Sequence, residues 1–208
     1  MNTGTFLVRS GVLGVFGGVR YDPVRRAVSF VPDARAFRRT LQYEFAVSPL
    51  VRAWDGGHLA APVTVRFIPG AAETAPTSPP VSLARDVAPL LSARCATARC
   101  HGGAAPAMGL DLSSAAAIRR TTVRVVARER PATGPSTTTS ADPAWGALER
   151  VDPGFTPGLG RPEYSYLVYK MLGDGPVVGA RMPPEGPPLT RDEMARVSDW
   201  IAAGAPDN

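Results

Sequence analysis

Lysine is almost missing from this chain: of its 23 basic residues, all but Lys170 are arginines. The arginines are spread along the whole length and adjoin only at Arg25-Arg26, Arg38-Arg39 and Arg119-Arg120. No basic run is interleaved with stacking aromatics, so the net charge of +5 is read without a nucleic-acid partner. Histidine and cysteine are scarce too, at two each. That excludes a disulfide framework and any metal site built from many imidazoles. Long apolar runs are also lacking. The longest, Gly11 to Val19, is short and holds four glycines, whereas a spanning helix needs about twenty apolar residues. No charge precedes Arg9 and no small-x-small cleavage site follows, so this stretch reads as strand and turn, not as a signal-peptide core. The chain as given is expected to have no transmembrane segment and no export signal. It also lacks a Ser-His-Asp set, a P-loop and a dinucleotide fingerprint. No catalytic residue is assigned and no enzyme activity is expected.

What is plentiful is proline (22) and glycine (21), beside 44% hydrophobic residues. Such a chain is globular but rich in loops and turns. Its composition shifts at 70–81, where Pro, Gly, Thr, Ser and Ala leave nothing to bury. This is a linker.

Before the linker, Val28-Ser-Phe-Val31, Leu41 to Val47 and Val63-Thr-Val-Arg-Phe67 alternate at period two. Leu41, Tyr43, Phe45 and Val47 are predicted to share one face of a strand. Turn signals at Tyr21-Asp-Pro23, Pro32-Asp33 and Asp55-Gly-Gly57 separate the strands. The order Val19-Arg-Tyr-Asp-Pro23, Val28-Ser-Phe-Val-Pro32, Thr40-Leu-Gln-Tyr43, Trp54-Asp-Gly-Gly57, Val65-Arg-Phe67 resembles the bacterial Ig-like domain of surface-layer and secreted proteins. That resemblance implies an antiparallel sandwich with further strands on its N-terminal side. Met1 is therefore expected to be an internal methionine, with the missing strands and an export signal or membrane anchor encoded upstream. An in-frame stop codon directly before Met1 would sink that expectation.

After the linker the pattern turns helical. Asp86 is predicted to cap a helix through Val87, Leu90 and Leu91 that leads into Cys95. A second helix starts at Pro162-Glu163, puts Tyr164, Leu167, Val168 and Met171 on one face, and stops at Gly173. In a third, Thr190 and Glu193 make a capping box, and Met194, Val197, Trp200 and Ile201 form the apolar stripe. Residues 121–160 read as irregular, with Pro131 to Pro143 a mobile insertion.

The chemistry concentrates at Cys95-Ala-Thr-Ala-Arg-Cys-His101. A histidine directly after the second of two close cysteines is the arrangement of c-type haem attachment, whose usual spacing is C-x-x-C-H. Here the spacing is C-x4-C-H. The extra residues must bulge outward if both sulfurs are to reach the two haem vinyl groups, and Ala96, Thr97 and Ala98 are small enough to allow it. Of the methionines that could supply a second axial ligand, Met171 and Met194 lie on apolar helix stripes, and Met108 follows His101 too soon. Met182, in Arg181-Met-Pro-Pro-Glu-Gly186, has no helical period to explain it and sits in a proline-stiffened loop. Arg99, Arg161 and Arg181 are candidates to reach haem propionates.

Asp86 to Leu91, Cys95 to Gly103, Gly109-Leu-Asp-Leu112, Gly160 to Leu167, Met182-Pro-Pro184, Leu189-Thr190 and Trp200 to Pro206 resemble, in order, class I c-type cytochrome domains. The resemblance covers residues 82–206. It implies haem c attached at Cys95 and Cys100, with iron ligated by His101 and Met182. The expected fold class is multidomain: a partial all-β Ig-like sandwich over 1–69, a linker over 70–81 and an all-α cytochrome c-like domain over 82–208. The expected function is one-electron transfer between redox partner proteins, in the periplasm or at the cell envelope. Alternative readings are a haem enzyme or gas sensor with an open distal position, and a haem-free scaffold with a Cys95–Cys100 disulfide. A zinc site is a further alternative, with Cys95, Cys100 and His101 one ligand short of the usual four.

Overall fold

The computed structural model describes residues 5–33, 37–53, 56–70, 79–129, 148–175 and 177–208. The central linker, the Trp54-Asp55 turn and the Pro131–Pro143 insertion lie largely or wholly outside these residues. The chain forms two compact units. One comprises Met1–Tyr21 with Val28–Ser78, the other Asp22–Ala27 with Pro79–Asn208.

In the first unit, strands β1 (Phe6–Ser10), β2 (Leu13–Gly14), β5 (Tyr43–Val47) and β6 (Val63–Phe67) pair antiparallel in the order β2-β1-β5-β6. β3 (Gly17–Asp22) and β4 (Ala27–Pro32) form a separate two-stranded ribbon. The register places Val8 opposite Phe45 and Phe45 opposite Val65, so one sheet face is apolar. The other face carries a ladder, Arg9–Glu44–Arg66, with side-chain hydrogen bonds of 2.9 and 3.2 Å. Phe37 covers one end of the apolar face, edge-on to Tyr43 at 4.8 Å and to Phe67 at 5.5 Å. Beyond it, Val63 and Val65 remain about half exposed, at 49% and 53%. Leu41, predicted to share one strand face with Tyr43, Phe45 and Val47, lies before the strand, and its N–H donates to the Arg38 carbonyl at 3.1 Å.

The second unit holds four α-helices among the described residues: α1 (Ala88–Cys95), α2 (Ala115–Thr122), α3 (Tyr166–Leu172) and α4 (Arg191–Ala202). α1 continues a π-type turn over Leu83–Val87. The cap is Ser82 and not the predicted Asp86: Ser82 Oγ accepts from Arg85 N at 3.2 Å, and Asp86 Oδ2 accepts from Ser82 N at 2.8 Å. The stripe Leu83, Val87, Leu91 is then fully buried. α2 was not visible as a helix in the sequence; Ser114 caps it, accepting from Ala117 N. α3 follows a 3₁₀ turn at Pro162–Tyr164 and ends at Gly173 in a left-handed conformation. It is buried on every face and not along one stripe. α4 carries the predicted Thr190–Glu193 capping box. Trp200 and Ile201 are wholly buried in the core, with Met171 beside them and Met194 packed against it. No helix among the described residues is long and apolar enough to cross a membrane.

The expected fold class is therefore corrected. The chain is mixed α and β, and is neither an all-β sandwich nor an all-α haem domain. A sandwich needs two sheets burying their inner faces against each other. Here the four-stranded sheet buries Phe6, Val8 and Tyr43 on its apolar face but leaves Val63 and Val65 at its edge about half exposed, and the second pairing among the described residues is only a hairpin. In the second unit none of the helices exceeds 12 residues. Extended backbone runs between them, bridged at Val123–Val151, Val126–Glu149 and Glu149–Ser165. Gly173 stops α3 and Gly204 follows the end of α4, both at positive φ.

Candidate functional site

α1 delivers Cys95 as its last residue, packed against the core. The chain then turns on Thr97, whose carbonyl accepts from Cys100 N at 3.0 Å and Gly102 N at 3.1 Å. His101 N donates to the Cys95 carbonyl at 3.0 Å and closes the loop. Thr97, Ala98 and Arg99 are exposed, so the middle of the loop bulges into solvent, while Ala96, expected to bulge with Thr97 and Ala98, packs against the core. Gly102 is obligatory for closeness: a Cβ there would lie 2.3 Å from the Ala96 carbonyl oxygen.

The next segment folds back onto the motif. Ala107 N donates to the Cys100 carbonyl at 2.7 Å, and Leu112 N to the His101 carbonyl at 2.8 Å. Arg150 holds this segment from across the unit. It is almost fully buried and donates to the carbonyls of Met108 (2.6 Å), Gly109 (3.1 Å) and Thr121 (2.7 Å). Burial and the neighbouring Arg128 charge lower its pKa. Three carbonyl partners satisfy its donors without neutralising its charge.

Cys95 and Cys100 are free thiols, so the disulfide alternative is not formed. Burial pushes the Cys95 thiol up to about 11. His101 Nδ1 is buried with no hydrogen-bond partner. Burial also pushes the imidazole pKa down, against the opposing pull of the Ala107 and Leu110 backbone. The ring is thus neutral near pH 7, the form that ligates a metal. Among the described residues, no three Cys, His, Asp or Glu side chains converge to hold a metal ion. A c-type haem would be held through two free thiols and one neutral imidazole, and Cys95, Cys100 and His101 carry those groups in one loop.

Met182 is half-buried, and its N–H donates to the Lys170 carbonyl at 2.9 Å. No hydrogen bond joins it to the Cys95–His101 loop. Met108 is exposed and left-handed at φ 57°. Of the arginines expected at propionates, Arg99 and Arg181 are exposed, and Arg161 is committed to Asp152 at 2.6 Å.

Two residues at this site escaped the sequence reading. Arg150 has partners 29 to 42 residues away, so nothing local marks it. Lys170 did carry a signal: the one lysine of the chain sits inside the apolar pattern of α3. Comparison with family models, curated proteins and solved structures returns no match.

Proposed function

We propose that this protein carries one haem bound covalently through Cys95 and Cys100, with His101 and Met182 as axial ligands, and that it passes single electrons between redox partner proteins in the periplasm or at the cell envelope. The observation that carries the reading is the buried, unpartnered Nδ1 of His101 in a loop with two free thiols. A buried polar nitrogen without a partner costs stability, and such costs concentrate where a side chain is kept for function. Haem, when bound, supplies a one-electron iron couple whose potential a thioether ligand raises. The chain's part is to orient and to exclude water. The Thr97 turn and the hydrogen bonds from Ala107 and Leu112 fix the backbone on both sides of His101. Cys95 lies against the apolar core at the end of α1.

The test is expression together with haem-attachment machinery, followed by pyridine haemochrome analysis. A c-type spectrum is expected. Cys95→Ala and Cys100→Ala should each shift it towards a haem retaining one vinyl group. In the oxidised protein a sulfur-to-iron charge-transfer band is expected, and it should vanish in Met182→Ala. Absence of covalent haem from the unmodified protein would overturn the reading. Haem present with fast carbon monoxide binding and no sulfur band would replace electron transfer by ligand sensing.

A further inference from the structure

One turn of α3 grips the chain segment that leads to Met182. Val178 is held at both of its backbone polar groups. Its N–H donates to Tyr166 Oη at 3.1 Å, and its carbonyl accepts from Lys170 Nζ. Tyr166 and Lys170 are one helical turn apart, so their side chains rise from the same face of α3. The Lys170 backbone carbonyl then accepts from Met182 N at 2.9 Å. Two residues of one turn thus fix the segment at Val178 by side chain and at Met182 by main chain.

The lysine is unusual in itself. Its side chain is only 9% exposed, and it pairs with Glu129 at 3.2 Å. Lysine is seldom buried unless paired, and breaking a buried pair is costly. Tyr166 is buried against Ala127 and Leu148, with Val177 packed on that cluster. The descent from α3 is close as well. A Cβ on Gly173 would lie 2.8 Å from the Arg181 side chain, and one on Gly175 2.6 Å from the Tyr169 ring.

We infer that Tyr166 and Lys170 are positioning residues for Met182: the clamp on Val178 and the main-chain bond at residue 170 hold the thioether of Met182 where it ligates the haem iron. This inference rests on the function proposed above. A ligand presented on a loop is precise only if neighbouring groups lock the loop. Here the lock is one donor and one acceptor on a rigid helix turn. Glu129 anchors the donor, since the Lys170 ammonium is shared between it and the Val178 carbonyl.

The experiment compares Lys170→Met, Lys170→Arg and Tyr166→Phe in the haem-loaded protein. Pyridine haemochrome should show unchanged haem content in all three. Lys170→Met should lose most of the sulfur-to-iron charge-transfer band, and its reduced form should bind carbon monoxide at least tenfold faster. Tyr166→Phe, a gentler change that keeps the ring in its apolar cluster, should show the same effects in part. Lys170→Arg keeps a cationic donor and should restore the band. In haem-free protein, hydrogen exchange at the Val178 and Met182 amides should rise about tenfold in Lys170→Met, with α4 amides unchanged. Haem retained with the band intact in both Lys170→Met and Tyr166→Phe would overturn this inference alone. No covalent haem in the unmodified protein would overturn the proposed function and this inference with it.

Discussion

The guanidinium of Arg25 lies fork-to-fork on the carboxylate of Asp199, at 2.7 and 2.9 Å, although 174 residues separate them. The same guanidinium reaches Asp22 at 2.6 Å. Asp22 Oδ1 accepts from Val24 N at 2.9 Å and from Ser198 Oγ at 3.3 Å. Val24 itself is buried in the core that holds Trp200. The turn Asp22–Ala27 is accordingly part of the C-terminal unit.

A contrast between neighbouring substitutions follows from that turn. The Arg25–Asp199 pair is more than two-fifths exposed on both sides, so Arg25→Ala should cost no more than about 1 kcal/mol. Val24→Ala removes two buried methyl groups and should cost about 2 kcal/mol. Urea unfolding of the two variants measures both. An Arg25→Ala cost equal to that of Val24→Ala would show that the ion pair, and not the apolar side chain, seats the turn.

Glu163 gives a pH-dependent expectation. Its Oε2 is buried without a partner, and burial raises its pKa, with Arg161 opposing. A folded-state pKa above the unfolded value means that the folded chain holds the proton more tightly. The fold is therefore favoured below the unfolded pKa, and that contribution is lost as pH rises through the folded pKa. Glu163→Gln should raise the melting temperature at pH 7, by about 1 kcal/mol or a few degrees. The gain should fade towards pH 4. A gain that persists unchanged in acid would point to packing and not to charge.

The α4 cap behaves with the opposite sign. Thr190 N donates to Glu193 Oε2 at 2.7 Å, and Thr190 Oγ1 accepts from Glu193 N at 3.2 Å. The Thr190 amide holds the Glu193 carboxyl below its ordinary pKa. Its stabilisation is present above the unfolded pKa and is lost as pH falls through the folded pKa. Thr190→Ala should cost about 1 kcal/mol. The cost of Glu193→Gln, read from thermal melts, should shrink below pH 4. An equal cost at pH 3 and pH 7 would contradict the charged cap.

Cys95 should be a slow nucleophile. With its thiol pushed up to about 11, chiefly by burial, it is protonated at neutral pH, and the thiolate is the reactive form. In Cys100→Ala, the rate of iodoacetamide labelling should still climb tenfold per pH unit between pH 8 and pH 10. A plateau near pH 9 would show that Cys95 is solvated in solution.

Much of the local structure was legible in the sequence because each feature is decided within a few residues. The Thr190–Glu193 box, the stop at Gly173 and the period-two strands around Val28, Phe45 and Val65 all follow from short-range hydrogen bonding and sterics. The Cys95, Cys100 and His101 spacing belongs to the same class, since one loop closes it. Tertiary structure alone decided the rest. Alternation along β5 and β6 specifies a sheet, but whether a second sheet covers its apolar face depends on distant chain, and here Val63 and Val65 stay half open. The pattern of α3 marks a stripe, yet burial on every face comes from the segments that surround it. Arg150 finds its three carbonyls, and Lys170 its Glu129, only once remote backbone is in place. Those partners are selected by burial, which forces every polar group taken from water to find a match wherever the fold has brought one.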